Sequence, residues 1–373
     1  MLKFDILKSS GLARVGIIHT PHGEIKTPAF VGAATRATVK ALTMSEMRAL
    51  GSQAILANTY HLVLTPGPEL IKQAGGFANF SGWHAPTFTD SGGFQIFSLP
   101  DVKINSEGAT FKSHINGDKL EMTPESSMRA QWAIGADIHM AFDHLAKSEN
   151  RADMLEAMER THAWLKRCKA EHEKLAEIAR ASGEPEQYLY AVVQGGTFND
   201  LRAESARICA AENPDGFGIG GVFTADGMSE MLKTVNNILP AEKPRHLLGM
   251  GQEPRDLFFG AEYGCDTFDC VGPTRMARNG SLYTLDGRIN IKNAKYKHDF
   301  SPLMAECDCE LCKNHTCAYL HHLFRTDEIT AKVLASIHNE HFVVRVVDKI
   351  RENLLSGTFS EYKNAFLARY YKN

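Results

Sequence analysis

Short apolar runs separated by helix-period segments recur along this chain from about residue 53, and this alternation limits the fold more than any other feature. Eight candidate strands stand out: Gln53–Ala57, Pro86–Thr89, Asp137–Phe142, Tyr188–Val193, Gly216–Gly220, Arg245–Gly249, Thr267–Phe268 and Arg288–Ile291. Helical patterns lie between them, among them Pro124–Ile134, Arg151–Arg180, Asp200–Ala211, Ser229–Ile238 and Pro254–Tyr263. Strands that alternate with helices argue for a parallel sheet, and eight repeats argue for a closed barrel, the α/β (β/α)8 or TIM barrel. The first fifty residues instead place short β-like runs, Ala13–His19 and Ile25–Val31, around the turn Pro21-His22-Gly23, which predicts an antiparallel layer. A single domain over 1–373 is expected, with that layer at 1–50, the barrel at 51–292, a cysteine-bearing subdomain at 293–350 and a C-terminal helix at 351–373.

In such a barrel the strand C-termini open on one face, where active sites are built. The ends of these strands are polar or bare: Asp90, Asp143, Gln194-Gly195-Gly196, Gly220-Gly221, Gly249-Met250-Gly251 and Asp269. Asp269 is followed by a Gly-Pro turn and then by Arg275 and Arg278. Alone, it reads as well as an aspartate capping a helix beside two solvated arginines. The array of ends predicts more, a pocket for a flat polar ligand approached closely by glycine. Within it Asp90 and Asp269 form a carboxylate pair suited to displacement at a sugar anomeric carbon, one as nucleophile and one as general acid and base. Asp143 and Gln194 suit a purine-like edge, the acid accepting from N–H groups and the amide offering both donor and acceptor. Arg275 and Arg278 suit phosphates.

A formal net charge of −3 excludes a globally basic nucleic-acid binder but not a local basic patch. No apolar run is long enough to span a bilayer and the N-terminus has no signal-peptide core, so a cytoplasmic protein is expected. Of eight cysteines, Cys307, Cys309, Cys312 and Cys317 fall within eleven residues, which in a reducing compartment reads as metal ligation before disulfides. Cys307, Cys309 and Cys312 need one more donor to close a tetrahedron. His338 is favoured, on a helix able to fold back over the turn, ahead of Cys317, His315, His321, His322 and His341. Such a Cys3His set is a closed, structural zinc site.

The stretches TDSGGFQIFSL (Thr89–Leu99), VVQGG (Val192–Gly196), IGG (Ile219–Gly221), FDCVGPTRMARNG (Phe268–Gly280), IKNAKY (Ile291–Tyr296), CDCELC and AYLHHLF closely resemble the tRNA-guanine transglycosylases, bacterial type, over nearly the whole chain. The resemblance implies a (β/α)8 barrel with a zinc subdomain inserted near its end. It puts Asp269 at the nucleophile position, attacking C1′ of a tRNA guanosine, and Asp90 at the general acid/base position. Asp90, Phe94, Asp143, Gln194, Gly220, Gly221, Val222 and Leu248 fall at base-binding positions, Phe94 as the ring that covers the base. Gly249, Met250, Gly251, Thr274, Arg275 and Arg278 fall at RNA-binding positions, and Cys307, Cys309, Cys312 and His338 at the ligands of one zinc ion. The implied reaction replaces the wobble guanine of tRNA with a 7-deazaguanine in queuosine biosynthesis, by double displacement with retained configuration. A homodimer is implied, with an interface between about Asn293 and His338.

The sequence departs from the family pattern around the pocket. Asp143-His144-Leu145 lacks a cysteine usual two residues after the acid, and Gly220–Asp226 reads GGVFTAD where Gly-Gly-Leu-Ala-Val-Gly-Glu is usual. Leu248 replaces a methionine, and Gln-Glu-Pro-Arg after Gly251 lacks a usual lysine. These changes leave the incoming base open between 7-aminomethyl-7-deazaguanine, favoured because Thr224 is bulkier than the glycine of queuine users, and queuine, favoured by the apolar Leu145. Other readings are a non-catalytic partner subunit, disfavoured by the full set Asp90, Asp143 and Asp269, and a zinc-dependent barrel hydrolase, which lacks its His-x-His near the first strand. The archaeal branch is disfavoured because no further RNA-binding stretch follows the zinc helices.

Overall fold

The computed structural model describes residues 1–146, 148–220 and 227–372. Its strands are β1 (Lys3–Ser10), β2 (Ala13–Thr20), β3 (Gly23–Thr27), β4 (Ala29–Ala34), β5 (Ala54–Ala57), β6 (Thr87–Thr89), β7 (Lys103–Ile104), β8 (Ala109–Lys112), β9 (Lys119–Met122), β10 (Ile138–Met140), β11 (Tyr188–Val193), β12 (Gly216–Ile219), β13 (Arg245–Leu247), β14 (Thr267–Cys270), β15 (Ser281–Thr284) and β16 (Gly287–Asn290). Eight of them close a parallel barrel in the order β10-β11-β12-β13-β14-β4-β5-β6. The (β/α)8 barrel is therefore present, but one of its eight expected strands is replaced by another.

The barrel begins with β4, within the stretch assigned to the N-terminal layer, and Arg288–Ile291 is not a barrel strand. β4 reads AFVGAA with every residue buried, and it pairs in parallel with β14 and β5. A strand covered on both faces has no polar alternation to mark it. β16 pairs instead with β15 as an antiparallel hairpin, its residues alternating between exposed and half-buried. The barrel strands thus run from Ala29 to Cys270, not within 51–292, and the antiparallel layer is confined to β1, β2 and β3. A second three-stranded sheet, β7-β8-β9, fills the excursion between β6 and β10.

Helix ends follow local chemistry. Thr123 caps Pro124–Ile134, its hydroxyl accepting from Ser126 N, with proline at the first turn and Gly135 in the left-handed region at the far end. Asn150 caps Arg151–Ser182, which stops at Gly183. Helix Ile329–Ser356 runs unbroken through the boundary expected at 350, and Phe359–Tyr370 follows it. Among the described residues no helix is long and apolar enough to cross a membrane.

The N-terminal sheet seals one end of the barrel. Three aspartates, Asp137, Asp215 and Asp266, stand just before β10, β12 and β14, and each divides its oxygens between two neighbours. One oxygen accepts the backbone N–H of the adjacent strand: Thr87 at 2.8 Å, Leu189 at 3.1 Å and Arg245 at 2.7 Å. The other accepts from the N-terminal layer: His22 Nδ1 at 2.7 Å, Leu2 N at 2.9 Å and Arg14 Nε at 2.8 Å. Ligands are left the opposite end, at the strand C-termini.

Candidate active site

At that open end lies a cleft of about 420 Å³. It is lined by Asp90, Phe94, Asp143, Gln194, Gly220, Leu248, Gly249, Met250, Asp269 and Arg275, all expected from the sequence. Thr274, Gly251 and Arg278 stand outside its lining. Thr274 is buried with its hydroxyl on Val271 O, and Arg278 donates from Nε to Thr274 O at 3.1 Å. Gly221 and Val222, together with the rest of the loop through Asp226, fall outside the described residues.

Each acid is held by donors from neighbouring strand ends and turns. Asp90, just after β6, accepts Thr59 N at 2.9 Å and Gly92 N at 3.0 Å on Oδ1, and Asn58 Nδ2 on Oδ2. Gly92 can supply that N–H because its φ of +80° carries no steric cost without a Cβ, and a Cβ would also press on Tyr60 N at 3.1 Å. Burial pushes the Asp90 carboxyl up to about 7, with the charges of Asp269 and Asp143 acting in the same direction and the Thr59 and Gly92 hydrogen bonds opposing. An acid near neutrality can both give and take a proton at physiological pH.

Asp143, beyond β10, accepts Ser91 Oγ and Gln194 Nε2, both at 2.7 Å. Burial raises its pKa, and the Ser91 and Gln194 hydrogen bonds work against it. A carboxylate has about four acceptor sites, so the pair Asp143–Gln194 keeps capacity for N–H groups of a ligand. Asp269, within β14, is 9% exposed and accepts Gly249 N at 2.9 Å and His246 Nε2 at 3.1 Å on one oxygen, Oδ1. Gly249 delivers its N–H from a φ of +71°. Phe94 projects its ring at the cleft, 63% exposed, and Arg275 is exposed at the rim.

Several supporting groups were not foreseen. Arg202 lies fully buried and donates to three carbonyls at the ends of β11 and β12: Gly196 at 2.8 Å, Val193 at 3.0 Å and Gly220 at 2.6 Å. It thereby fixes the backbone that carries Gln194 and Gly220. Ser205 Oγ accepts Gln194 N at 3.0 Å. Asn58, Ser91 and His246 also escaped notice, because short polar residues and a lone histidine at strand ends look like turn and core residues. A strand-end position next to a predicted acid was the available signal.

Cys307, Cys309, Cys312 and His338 converge as expected, their ligand atoms all within 4.8 Å of one another and every residue buried. The three Sγ atoms stand 3.8, 3.5 and 3.4 Å from His338 Nδ1. Nε2 of the same ring lies 2.7 Å from Tyr283 O, a contact only an N–H can make, so in the neutral ring Nδ1 presents its lone pair to the thiols. Four soft donors closing on one point fit a tetrahedral metal ion with no open position. Next along the helix, Asn339 receives Tyr283 N and donates to Pro273 O and Ser281 O, tying this centre to the segment that follows Asp269.

A family model described as queuine tRNA-ribosyltransferase matches residues 8–372. Relatives carrying that same description include one from Herpetosiphon aurantiacus, 46% identical over 98% of this chain and 92% of its own length. Others come from Lysinibacillus sphaericus, 42% identical over 99% of this chain and 96% of the relative, and Bacillus subtilis, 42% identical over 96% and 93%. A barrel with three acids at its open end, a closed thiol–imidazole centre and a match along nearly its whole length make this chain a member of the queuine tRNA-ribosyltransferase family.

Proposed function

We propose that this chain exchanges the wobble guanine of tRNA for a 7-deazaguanine, in queuosine biosynthesis, through a covalent bond between Asp269 and the ribose. The observation that carries the reading is that Asp90 and Asp269, on the ends of two strands separated by β4 and β5, face one cleft beside a carboxylate–amide pair suited to a purine edge. Asp269 attacks C1′ while the C1′–N9 bond breaks, and Asp90, protonated in part at neutral pH, gives its proton to the departing guanine. The incoming base then passes its N9 proton to Asp90 and displaces Asp269, which returns to the carboxylate. Asp143 and Gln194 hold the base edge, Phe94 covers its face, and Arg275, with Arg278 and Thr274 behind it, meets the RNA.

The incoming base is 7-aminomethyl-7-deazaguanine in this reading, with queuine the alternative. Cys307, Cys309, Cys312 and His338 hold one zinc ion, whose contribution is to fix the fold around the 273–283 segment. The site of action is the cytoplasm. Two chains pair across the segment 293–338, which exposes Phe300 and Ile329 at 74% and 77%; light scattering should give twice the monomer mass.

The decisive test is exchange of labelled guanine out of tRNA, with trapping of a denaturant-stable protein–RNA adduct. Wild-type protein should yield the adduct with release of guanine and should turn over to full loss of label when 7-aminomethyl-7-deazaguanine is added, and Asp269→Asn should yield no adduct. Undiminished trapping in that variant removes the assignment, and release by queuine alone reverses the choice of base. Chelation should lower the melting temperature in step with activity; prompt loss of activity with melting unchanged would instead place a metal in the chemistry.

A further inference from the structure

We propose that His246 is a positioning residue that selects which oxygen of Asp269 attacks. This inference rests on the reading of Asp269 as nucleophile. His246 sits in β13, wholly buried, its ring stacked on Phe88 of β6 with centroids 5.3 Å apart. Phe88 belongs to an otherwise apolar cluster with Val31, Leu56, Met140 and Val192, where a leucine would fill the same space without two nitrogens to satisfy. Both nitrogens have partners, Thr267 Oγ1 at 2.8 Å from Nδ1 and Asp269 Oδ1 at 3.1 Å from Nε2.

Proton accounting fixes the direction of the contact with Asp269. A carboxylate only accepts, so Nε2 carries the hydrogen and donates to Oδ1. In the neutral ring Nδ1 is then an acceptor, and the Thr267 hydroxyl 2.8 Å away is placed to donate to it. Gly249 N–H reaches the same Oδ1 at 2.9 Å, while Oδ2 has no hydrogen bond among the described residues. The two donors therefore pin Oδ1 and leave Oδ2 with its lone pairs free. In the first displacement Oδ2 forms the bond to C1′, the C1′–N9 pair departs with guanine, and Oδ1 becomes the ester carbonyl with both hydrogen bonds kept. In the second, the C1′–Oδ2 pair returns to the carboxylate, and the same donors stabilise the charge as it reappears.

The test compares His246→Phe, which keeps the stacked ring and removes the donor, with His246→Gln, which restores an N–H near the position of Nε2. Losing one hydrogen bond to a charged group should slow single-turnover adduct formation about ten- to a hundredfold, with KM for tRNA within about threefold of wild type. His246→Gln should recover to within about threefold of the wild-type rate. Wild-type rates in His246→Phe, equal slowing in both variants with their melting unchanged, or an effect confined to KM would each overturn the proposal. Should His246→Phe fail to fold, Thr267→Val decides: losing the hydroxyl that fixes the ring's tautomer should slow the same step about three- to tenfold, and an unchanged rate overturns the proposal. Asp269→Asn run alongside separates the two ideas. An adduct in that variant removes the underlying reading, whereas a dead Asp269→Asn beside a normal His246→Phe removes only this one.

Discussion

The two ends of the barrel carry the same residue type in opposite conditions. At the closed end Asp137, Asp215 and Asp266 each satisfy both oxygens, one with the neighbouring strand and one with the N-terminal layer. At the open end Asp90, Asp143 and Asp269 are held by strand-end and turn donors, and their remaining acceptor capacity faces a cleft. The closed-end acids work as clamps between chain segments. For Asp90 and Asp143, burial outweighs the hydrogen bonds and raises the pKa, the condition expected of acids at a functional site. Burial alone does not tell the two sets apart; what separates them is where the last lone pairs point.

Substitutions at the two ends should separate rate from stability, and after Asp269→Asn the largest effect is expected at Asp90. Asp90→Asn should lower single-turnover adduct formation by about 10²- to 10⁴-fold, the usual worth of a positioned general acid. In the wild type the same step should slow as pH rises through about 7, where Asp90 loses its proton, and the variant should lack this limb. Stability moves in the same direction. A carboxyl raised from 3.8 to about 7 contributes stability that is fully present below 3.8 and lost as pH rises through 7. Relative to wild type, Asp90→Asn should therefore melt higher at pH 8 than at pH 5 in a calorimetric scan. A variant that lost rate and stability together at every pH would erase the distinction between the ends.

At the closed end, Asp266→Ala leaves the Arg14 guanidinium buried without its anion, with the pair 4% and 0% exposed. Removing one partner of a buried pair costs about 3–5 kcal/mol. Urea unfolding should show this loss while turnover per folded molecule stays within about twofold of wild type. A smaller change at the open end is Gly249→Ala, where a side chain forced to a φ of +71° costs about 1–2 kcal/mol and tilts the N–H away from Asp269. Adduct formation should slow roughly tenfold in a single-turnover assay at saturating tRNA. The least effect is expected from His22→Ala. The hydrogen bond to Asp137 raises the His22 pKa above its ordinary 6.5 against the effect of burial. Its stabilisation is therefore present below 6.5 and fades as pH rises through the shifted value. The melting difference from wild type should be clear at pH 6 and shrink by pH 9.

Much of the open end was legible because acids and glycines that interrupt apolar runs stand out in a one-dimensional pattern. The Cys-x-Cys-x2-Cys spacing did the same for the thiol–imidazole cluster. What escaped depends on partners distant in sequence. β4 follows directly on β3 across Pro28, so two short strands of different sheets read as one. Arg288-Ile289-Asn290 alternates in polarity, the mark of a half-exposed hairpin, and only its place in the count suggested a barrel strand. Arg202 was hidden within an amphipathic helix, where an arginine is normally solvated; its three carbonyl partners appear only when β11 and β12 lie side by side. His246 was hidden in an apolar run for the same reason.

The exposed ring of Phe94 bears on how binding is measured. On the proposed reading its apolar face is wet until a base slides beneath it, so the ligand supplies the missing wall of its own chamber. Dehydration of two flat surfaces lowers heat capacity, and titration calorimetry across temperature would register the event as an enthalpy that grows more negative on warming. Phe94→Ala would flatten that slope, giving the aromatic cover a thermal signature separable from the hydrogen bonds of Asp143 and Gln194.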